Sequence, residues 1–137
     1  MTHEQFVSLE VAKLLKKAGF DWECKKIHYK YPGDDDNWSL EDNYMNHRRV
    51  LEVDYCLLAP TLEVAQRWLR EVKNCSIMID VFVHNLDKNN IYYTHNWIMY
   101  LDGERYSGSN WDDTRYYEVA QEAGIKKALE LILKKGE

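Results

Sequence analysis

The chain has 137 residues, a length that fits one domain with a core large enough to fold without disulfides or metals. Its formal net charge of −5 argues against a protein held to nucleic acid mainly by its overall field, although a local basic patch remains compatible with that charge. The cysteines are odd in number, widely spaced and without a C-x-x-C pair. The sequence therefore predicts reduced, buried thiols, and neither a zinc site nor a disulfide framework.

The first residues lack the basic and apolar regions of a signal peptide, and no apolar run approaches the length of a membrane span. We therefore expect a cytoplasmic protein that makes no membrane contact. Ten Tyr and five Trp stand against only three Phe. Tyr and Trp have a polar group at the edge of the ring, so they can pack in a core or line a partly solvated binding surface.

The amino-terminal part predicts one helix and one strand. Apolar residues at helical spacing indicate a helix over residues 2–18, with Thr2 and Gln5 resembling a capping box and Gly19 suited to the position after its end. A strand over residues 24–31 follows and stops at Pro32-Gly33.

An acidic segment over residues 33–47 comes next. It has several carboxylates, no Lys or Arg before Arg48, and no apolar period, so it predicts a mobile loop. Residues 50–58 then alternate, which predicts a second strand. Its apolar face would carry Leu51, Val53, Tyr55 and Leu57.

The carboxyl-terminal part reads more clearly. Thr61 is a suitable N-cap for a helix over 61–73, whose apolar face includes Trp68. Strands over 75–83, 91–101 and 104–107 follow, and Asp102-Gly103 is a strong two-residue hairpin signal. The last helix covers roughly 115–134, after an N-cap at Asp113 or Thr114. On the first of these strands, the residues expected to point inward are Ile77, Ile79, Val81 and Val83. On the last helix, one stripe is shared by Tyr117, Ala120, Gly124, Ala128 and Leu131.

These elements predict a single α+β domain over residues 1–137 in the order α-β-β-α-β-β-β-α. Its two layers are an antiparallel sheet and the helices packed on it. Residues 1–58 contribute α-β-β with the acidic loop 33–47, and residues 59–137 contribute α-β-β-β-α. The second part has the topology of a double-stranded-RNA-binding domain, an analogy at the level of the fold alone. Its last helix is preceded by Asp112-Asp113-Thr114 where RNA phosphates would require Lys and Arg.

No phosphate-binding, dinucleotide-binding, metalloprotease or nucleophile-elbow motif occurs in the sequence. The best candidates for an acid–base or metal cluster are Asp80, His84 and His95. The first two lie four residues apart on one strand and share a face, while His95 lies on the neighbouring strand. They support a small hydrolase or nuclease as one interpretation and a solvated polar face as the other.

A second group of candidate residues is basic. Arg48, Arg49, Arg67, Arg70 and Lys73 could bind phosphates beside exposed Tyr and Trp, which is the arrangement of many proteins that bind single-stranded nucleic acid.

Three short segments follow one another along the chain: Ala59-Pro60-Thr61, the run from Trp68 to Val72 with its W-L-R-E sequence, and Ala123-Gly124-Ile125 on the last helix. In this order the chain resembles a set of small uncharacterised proteins encoded by phages and integrated mobile elements of gut Bacteroidales. The resemblance covers about residues 59–134, with residues 1–18 similar to the family's amino-terminal helix. It implies a small cytoplasmic accessory protein, and it implies no catalytic residue, ligand or cofactor.

The sequence therefore favours a non-enzymatic protein-interaction module with an unknown protein partner, present as a monomer or homodimer, with no metal and no cofactor. A nucleic-acid-associated domain and a small hydrolase or nuclease remain the two alternatives.

Overall fold

The computed structural model describes residues 5–33, 37–85, 87–89, 91–108 and 116–136. They form an α+β fold of four helices and two three-stranded antiparallel sheets within the described ranges. The elements in chain order are α1 (Leu9–Lys17), β1 (Lys26–Lys30), β2 (Trp38–Asp42), α2 (His47–Glu52), β3 (Cys56–Leu58), α3 (Leu62–Val72), β4 (Cys75–Asn85), β5 (Ile91–Leu101), β6 (Glu104–Gly108) and α4 (Tyr117–Lys135).

The predicted α+β class is confirmed, and the predicted element order is approximately correct. The sequence predicted a single sheet, but the structure has two sheets, with strand orders β2-β1-β3 and β4-β5-β6. Helices α3 and α4 pack on β4, and α4 also packs on β5. No helix in the described residues is both long and apolar enough to cross a lipid bilayer.

The first helix is shorter than predicted. It begins at Leu9, and the Ser8 hydroxyl caps it by accepting a hydrogen bond from the Val11 N–H at 3.3 Å. Before the cap the chain is bound to the segment ahead of α3, because the Val7 N–H donates to the Pro60 carbonyl at 3.0 Å. The prediction that residues 5–8 are helical is therefore wrong. The predicted capping residue Thr2 lies outside the described residues.

The acidic segment is not only a loop. Strand β2 pairs with β1 along its whole length, from Lys26 opposite Asp42 to Lys30 opposite Trp38. Most side chains of β2 are exposed, so this strand forms without alternating apolar and polar residues. The pairing of the backbone, which composition does not reveal, decides the structure here.

Residues 50–58 are also not one strand. Helix α2 occupies His47–Glu52, with the Asn46 side chain accepting a hydrogen bond from the Arg48 N–H at 3.0 Å, and β3 is only Cys56–Leu58. The apparent alternation of apolar residues falls across a helix and a strand. The N-cap at Asn46 was the signal that could have separated them.

From α3 onward the predicted elements are confirmed with small shifts at their ends. Asp102 and Gly103 form the β5–β6 turn with φ values of 53° and 79°, as a tight two-residue hairpin requires. Helix α4 begins at Tyr117, and among the described residues no side chain caps it. The predicted caps Asp113 and Thr114 lie outside the described residues.

One hydrophobic core connects the two sheets. Trp68 lies at its centre, 1% exposed, with the Phe20 ring 5.4 Å away in an edge-to-face arrangement. Helix α4 approaches the second sheet closely at Gly124, where an added Cβ would lie 2.9 Å from the Cβ of Trp97. The same core takes Ile27, Leu57 and Leu58 from the first sheet and Cys75, Ile77, Met99 and Leu101 from the second.

We expect Trp68→Ala to lower the free energy of unfolding by about 3–5 kcal/mol, because it removes a large buried side chain and leaves a cavity. Val72→Ala is the matched control, since Val72 lies on the same helix but is exposed. Chemical denaturation of both variants measures the difference. Equal stability of the two variants would contradict the placement of Trp68 in the core.

Candidate functional site

The exposed apolar side chains of the second sheet cluster at the far end of the β4–β5 hairpin. We call residues 80–85 and 91–95 the arm. Five of its apolar side chains are each between 47% and 61% exposed, which is unusual for residues of a regular strand. These side chains are Val81, Phe82, Val83, Ile91 and Tyr93.

Exposure increases along β4 because the helices cover only its first part. Strands β4 and β5 have eleven residues each, a length of about 36 Å. On the helix-facing side Cys75 and Ile77 are buried, Ile79 is half-buried, and Val81 and Val83 are exposed. The expectation that all of these residues point into the core is therefore correct for the first part of the strand and wrong for Val81 and Val83.

The register determines which backbone groups of β4 face outward. The two-residue turn makes Leu101 and Glu104 a hydrogen-bonded pair of β5 and β6. A residue of a central strand bonds to only one of its two neighbours, so Leu101 forms a non-hydrogen-bonded pair with Cys75 of β4. It follows that the odd-numbered residues of β4 point their N–H and C=O groups away from β5. Within the described residues no other strand pairs with this outer edge.

Gln66 of α3 covers the near part of that edge. Its side-chain N–H donates to the Ile77 carbonyl at 2.6 Å, and its side-chain oxygen accepts from Gln121 of α4 at 2.8 Å. Gln121 is itself buried. This relay, Gln121–Gln66–Ile77, connects α3 and α4 to the edge of β4 and extends no farther than Ile77. The outward groups of Val81 and Val83 lie beyond it.

The three candidate catalytic residues do not converge. Asp80 and His84 share the outer face of the sheet, as predicted from their spacing. His95 lies directly opposite Val81 and therefore on the helix-facing side. The His84 ring is 2.8 Å from the Thr94 hydroxyl, whereas His95 contacts the Tyr117 ring edge-to-face at 6.0 Å. The sheet itself separates the two histidines.

No group of three or more His, Cys, Asp or Glu side chains suited to a metal ion occurs in the part of the chain that the structure describes. The cysteines are free, and burial raises the pKa of Cys24 to about 12 and that of Cys75 to about 11. Burial also raises the pKa of Cys56. These thiols are protonated at neutral pH, so they are poor nucleophiles and poor metal ligands.

The candidate basic residues lie on α2, on α3 and, in the case of Lys73, directly after the end of α3. Arg48 on α2 is 3.6 Å from the Glu52 carboxylate, and the Arg67 guanidinium on α3 lies over the Trp22 ring at 5.3 Å. Lys73 lies over the Trp68 ring at 5.6 Å. Arg49 and Arg70 belong to the same helices, α2 and α3 respectively. Much of this basic charge is therefore already engaged with carboxylate or aromatic groups of the chain.

A concave surface that the sequence did not predict lies beside the first sheet. Tyr29 and Tyr31 are packed edge-to-face at 5.5 Å, and Tyr44 also lines this surface. The nearby Asp42 carboxylate is paired with Lys26 at 2.6 Å, and this hydrogen bond lowers the pKa of Asp42. Tyrosines two apart on a strand share a face, which was the available signal.

Comparison of the chain with protein-family models, curated proteins and solved structures gave no match.

We expect Gln66→Ala to lower the free energy of unfolding by about 1–3 kcal/mol, because it leaves the buried Gln121 amide and the Ile77 carbonyl without this partner. Glu63→Ala is the control, since Glu63 is exposed on the same helix. Thermal and denaturant unfolding measure both variants. A Gln66→Ala variant as stable as the control would show that the relay is not a structural link.

Proposed function

We propose that this chain is a non-enzymatic protein-interaction module that binds a partner protein through the arm. The observation that carries the proposal is the exposure of apolar side chains on both faces of the arm. Clusters of exposed apolar side chains are typical of binding sites, whereas single exposed apolar residues are common on any protein surface. On the basis of the sequence resemblance, we also propose that the chain is a cytoplasmic accessory protein of a phage or mobile element.

The charge of the arm favours a protein over a nucleic acid as its partner. Neither β4 nor β5 contains a Lys or Arg residue. A surface that binds phosphates needs such cations, since their attraction supplies most of the affinity for nucleic acid. Phe82 and Tyr93 could stack on bases, but β4 and β5 have none of the Lys and Arg side chains that normally accompany such stacking.

The backbone of the arm favours a partner in extended conformation. The outward N–H and C=O groups of Val81 and Val83 can pair with an added strand, and the flanking side chains would contact that strand on both faces. Edges of this length and apolar character pair readily with other chains unless they are covered or charged. The proposed binding mode is therefore strand addition.

The positions of the acidic and histidine residues support binding rather than hydrolysis. Catalysis by a carboxylate and two histidines requires all of them within reach of one substrate. The sheet lies between His95 and the pair formed by Asp80 and His84. One substrate atom could not contact all three side chains.

A photoreactive phenylalanine analogue placed at Phe82 of the full chain tests the proposal in cells of a gut Bacteroidales bacterium, the setting that the sequence resemblance implies. We expect light-dependent protein adducts from this position, because its side chain would lie in the interface. The same analogue at Glu130, which is exposed on α4, is the control. Mass spectrometry identifies the adducts.

The adducts from Phe82 should disappear when Val81→Lys and Val83→Lys are added, because these changes place charge in the proposed interface. Equal adducts from both positions, or none from Phe82, would contradict the proposal.

Nucleic-acid binding provides a further prediction. We expect only weak binding to random single-stranded or duplex probes at physiological salt, and no effect of Arg67→Ala/Arg70→Ala. The measurement is fluorescence anisotropy over a salt series. Micromolar or tighter binding, with a steep salt dependence that the two Arg changes flatten, would favour the nucleic-acid alternative instead.

A further inference from the structure

The edge of the arm is complementary to itself. We propose that its partner is a second copy of this chain, paired antiparallel along β4 and centred on Phe82. This inference rests on the proposed function, since it names the protein that the arm binds. The result would be a continuous six-stranded sheet with β4 of each copy at its centre.

The backbone allows this pairing over residues 79–85. The odd-numbered residues of that segment point their N–H and C=O groups outward, and the Gln66 contact at Ile77 lies before the segment begins. With Phe82 at the centre, Val81 of one copy and Val83 of the other form a hydrogen-bonded pair. The two such pairs would supply about four backbone hydrogen bonds at the centre of the interface.

Side chains on the helix-facing side match in this register. Val81 would lie opposite Val83 of the second copy, and the reverse pair follows from the two-fold symmetry. Both side chains are exposed in the single chain. The pairing would bring four valines together between the helical layers of the two copies, which removes apolar surface from water.

Side chains on the outer face match as well. Phe82 would lie opposite Phe82 of the second copy, flanked on each side by Asp80 opposite His84. Aromatic pairs and pairs of a carboxylate with an imidazole are favourable between neighbouring strands. The face therefore combines an apolar centre with two complementary polar pairs.

Other registers lose this complementarity. Centring the pair on Asp80 places two carboxylates opposite each other, and centring it on His84 places two imidazoles opposite each other. Centring it on Val81 puts Phe82 against Asp80. Of these four registers, the one centred on Phe82 is the most complementary.

The expected dimer is reversible and weak. A paired segment of seven residues is much smaller than the roughly 20–30 residues on each side of a stable interface. Association should therefore depend on concentration.

Disulfide trapping of the purified chain tests the register. In a non-hydrogen-bonded antiparallel pair the Cα atoms are about 4.5 Å apart, a separation that suits a disulfide. The Phe82→Cys variant should therefore form a covalent dimer under mild oxidation. Met78→Cys is the matched control, because Met78 lies on the same face and is 53% exposed against 47% for Phe82. In the proposed register its two thiols would be about 27 Å apart.

A dimer from Phe82→Cys with little from Met78→Cys supports the proposal. Equal cross-linking of the two variants, or none in either, overturns it. The native cysteines interfere little, because Cys56 and Cys75 are buried and Cys24 is partly buried. Analytical ultracentrifugation of the unchanged chain over a dilution series shows whether the dimer forms without a cross-link, and a chain that is monomeric throughout also overturns the proposal.

A charge exchange tests the pairing without a cross-link. Asp80→Lys alone should weaken dimerisation roughly ten-fold, because both outer-face pairs lose their attraction. The double variant Asp80→Lys/His84→Asp should restore it, since a lysine and a carboxylate of opposite charge then face each other. A double variant no tighter than the single variant would contradict the register.

Failure of this inference can be distinguished from failure of the proposed function. If the purified chain is monomeric but the photoreactive analogue at Phe82 captures a different protein in cells, and that capture is lost with Val81→Lys and Val83→Lys, then the arm binds another protein and self-pairing is wrong. If neither a dimer nor any adduct forms, both proposals are wrong.

Discussion

The two longest strands of this protein extend beyond the helices that cover them. Helices α3 and α4 bury the first part of β4 and the last part of β5, and the Gln121–Gln66–Ile77 relay covers the adjoining edge. A sheet can be solvated on one face, but here apolar side chains of the far part are exposed on both faces, and within the described residues the outer edge of β4 pairs with no strand. The stable core and the exposed arm are thus parts of the same pair of strands.

Sequence patterns predicted the second half of the fold well because each element there has its own signal. The N-cap at Thr61, the one-sided apolar face that contains Trp68, and the turn at Asp102-Gly103 are local and mutually consistent. In the first half the signals conflicted. β2 is defined by pairing with β1 rather than by apolar alternation, and apolar residues in 50–58 are shared between a helix and a strand.

The candidate site could be predicted only in part. Strand spacing correctly placed Asp80 and His84 on one face, but His95 required the register with β5, which depends on the length of the hairpin loop. The exposure of Val81 and Val83 could not be predicted, because alternation says which side chains share a face and not how far the covering layer extends. The apolar side chains that looked like core became the main feature of the candidate interface.

Amide hydrogen exchange of β4, followed by NMR at several protein concentrations, tests the availability of the arm's edge most directly. The Asp80 and Phe82 amides face β5 and should be protected at every concentration. The Val81 and Val83 amides should exchange rapidly in dilute solution and become protected as the concentration rises and a second copy pairs with them. Protection of the Val81 and Val83 amides at all concentrations would show that the chain itself covers the edge. Rapid exchange of these two amides at all concentrations would show that no second copy binds there.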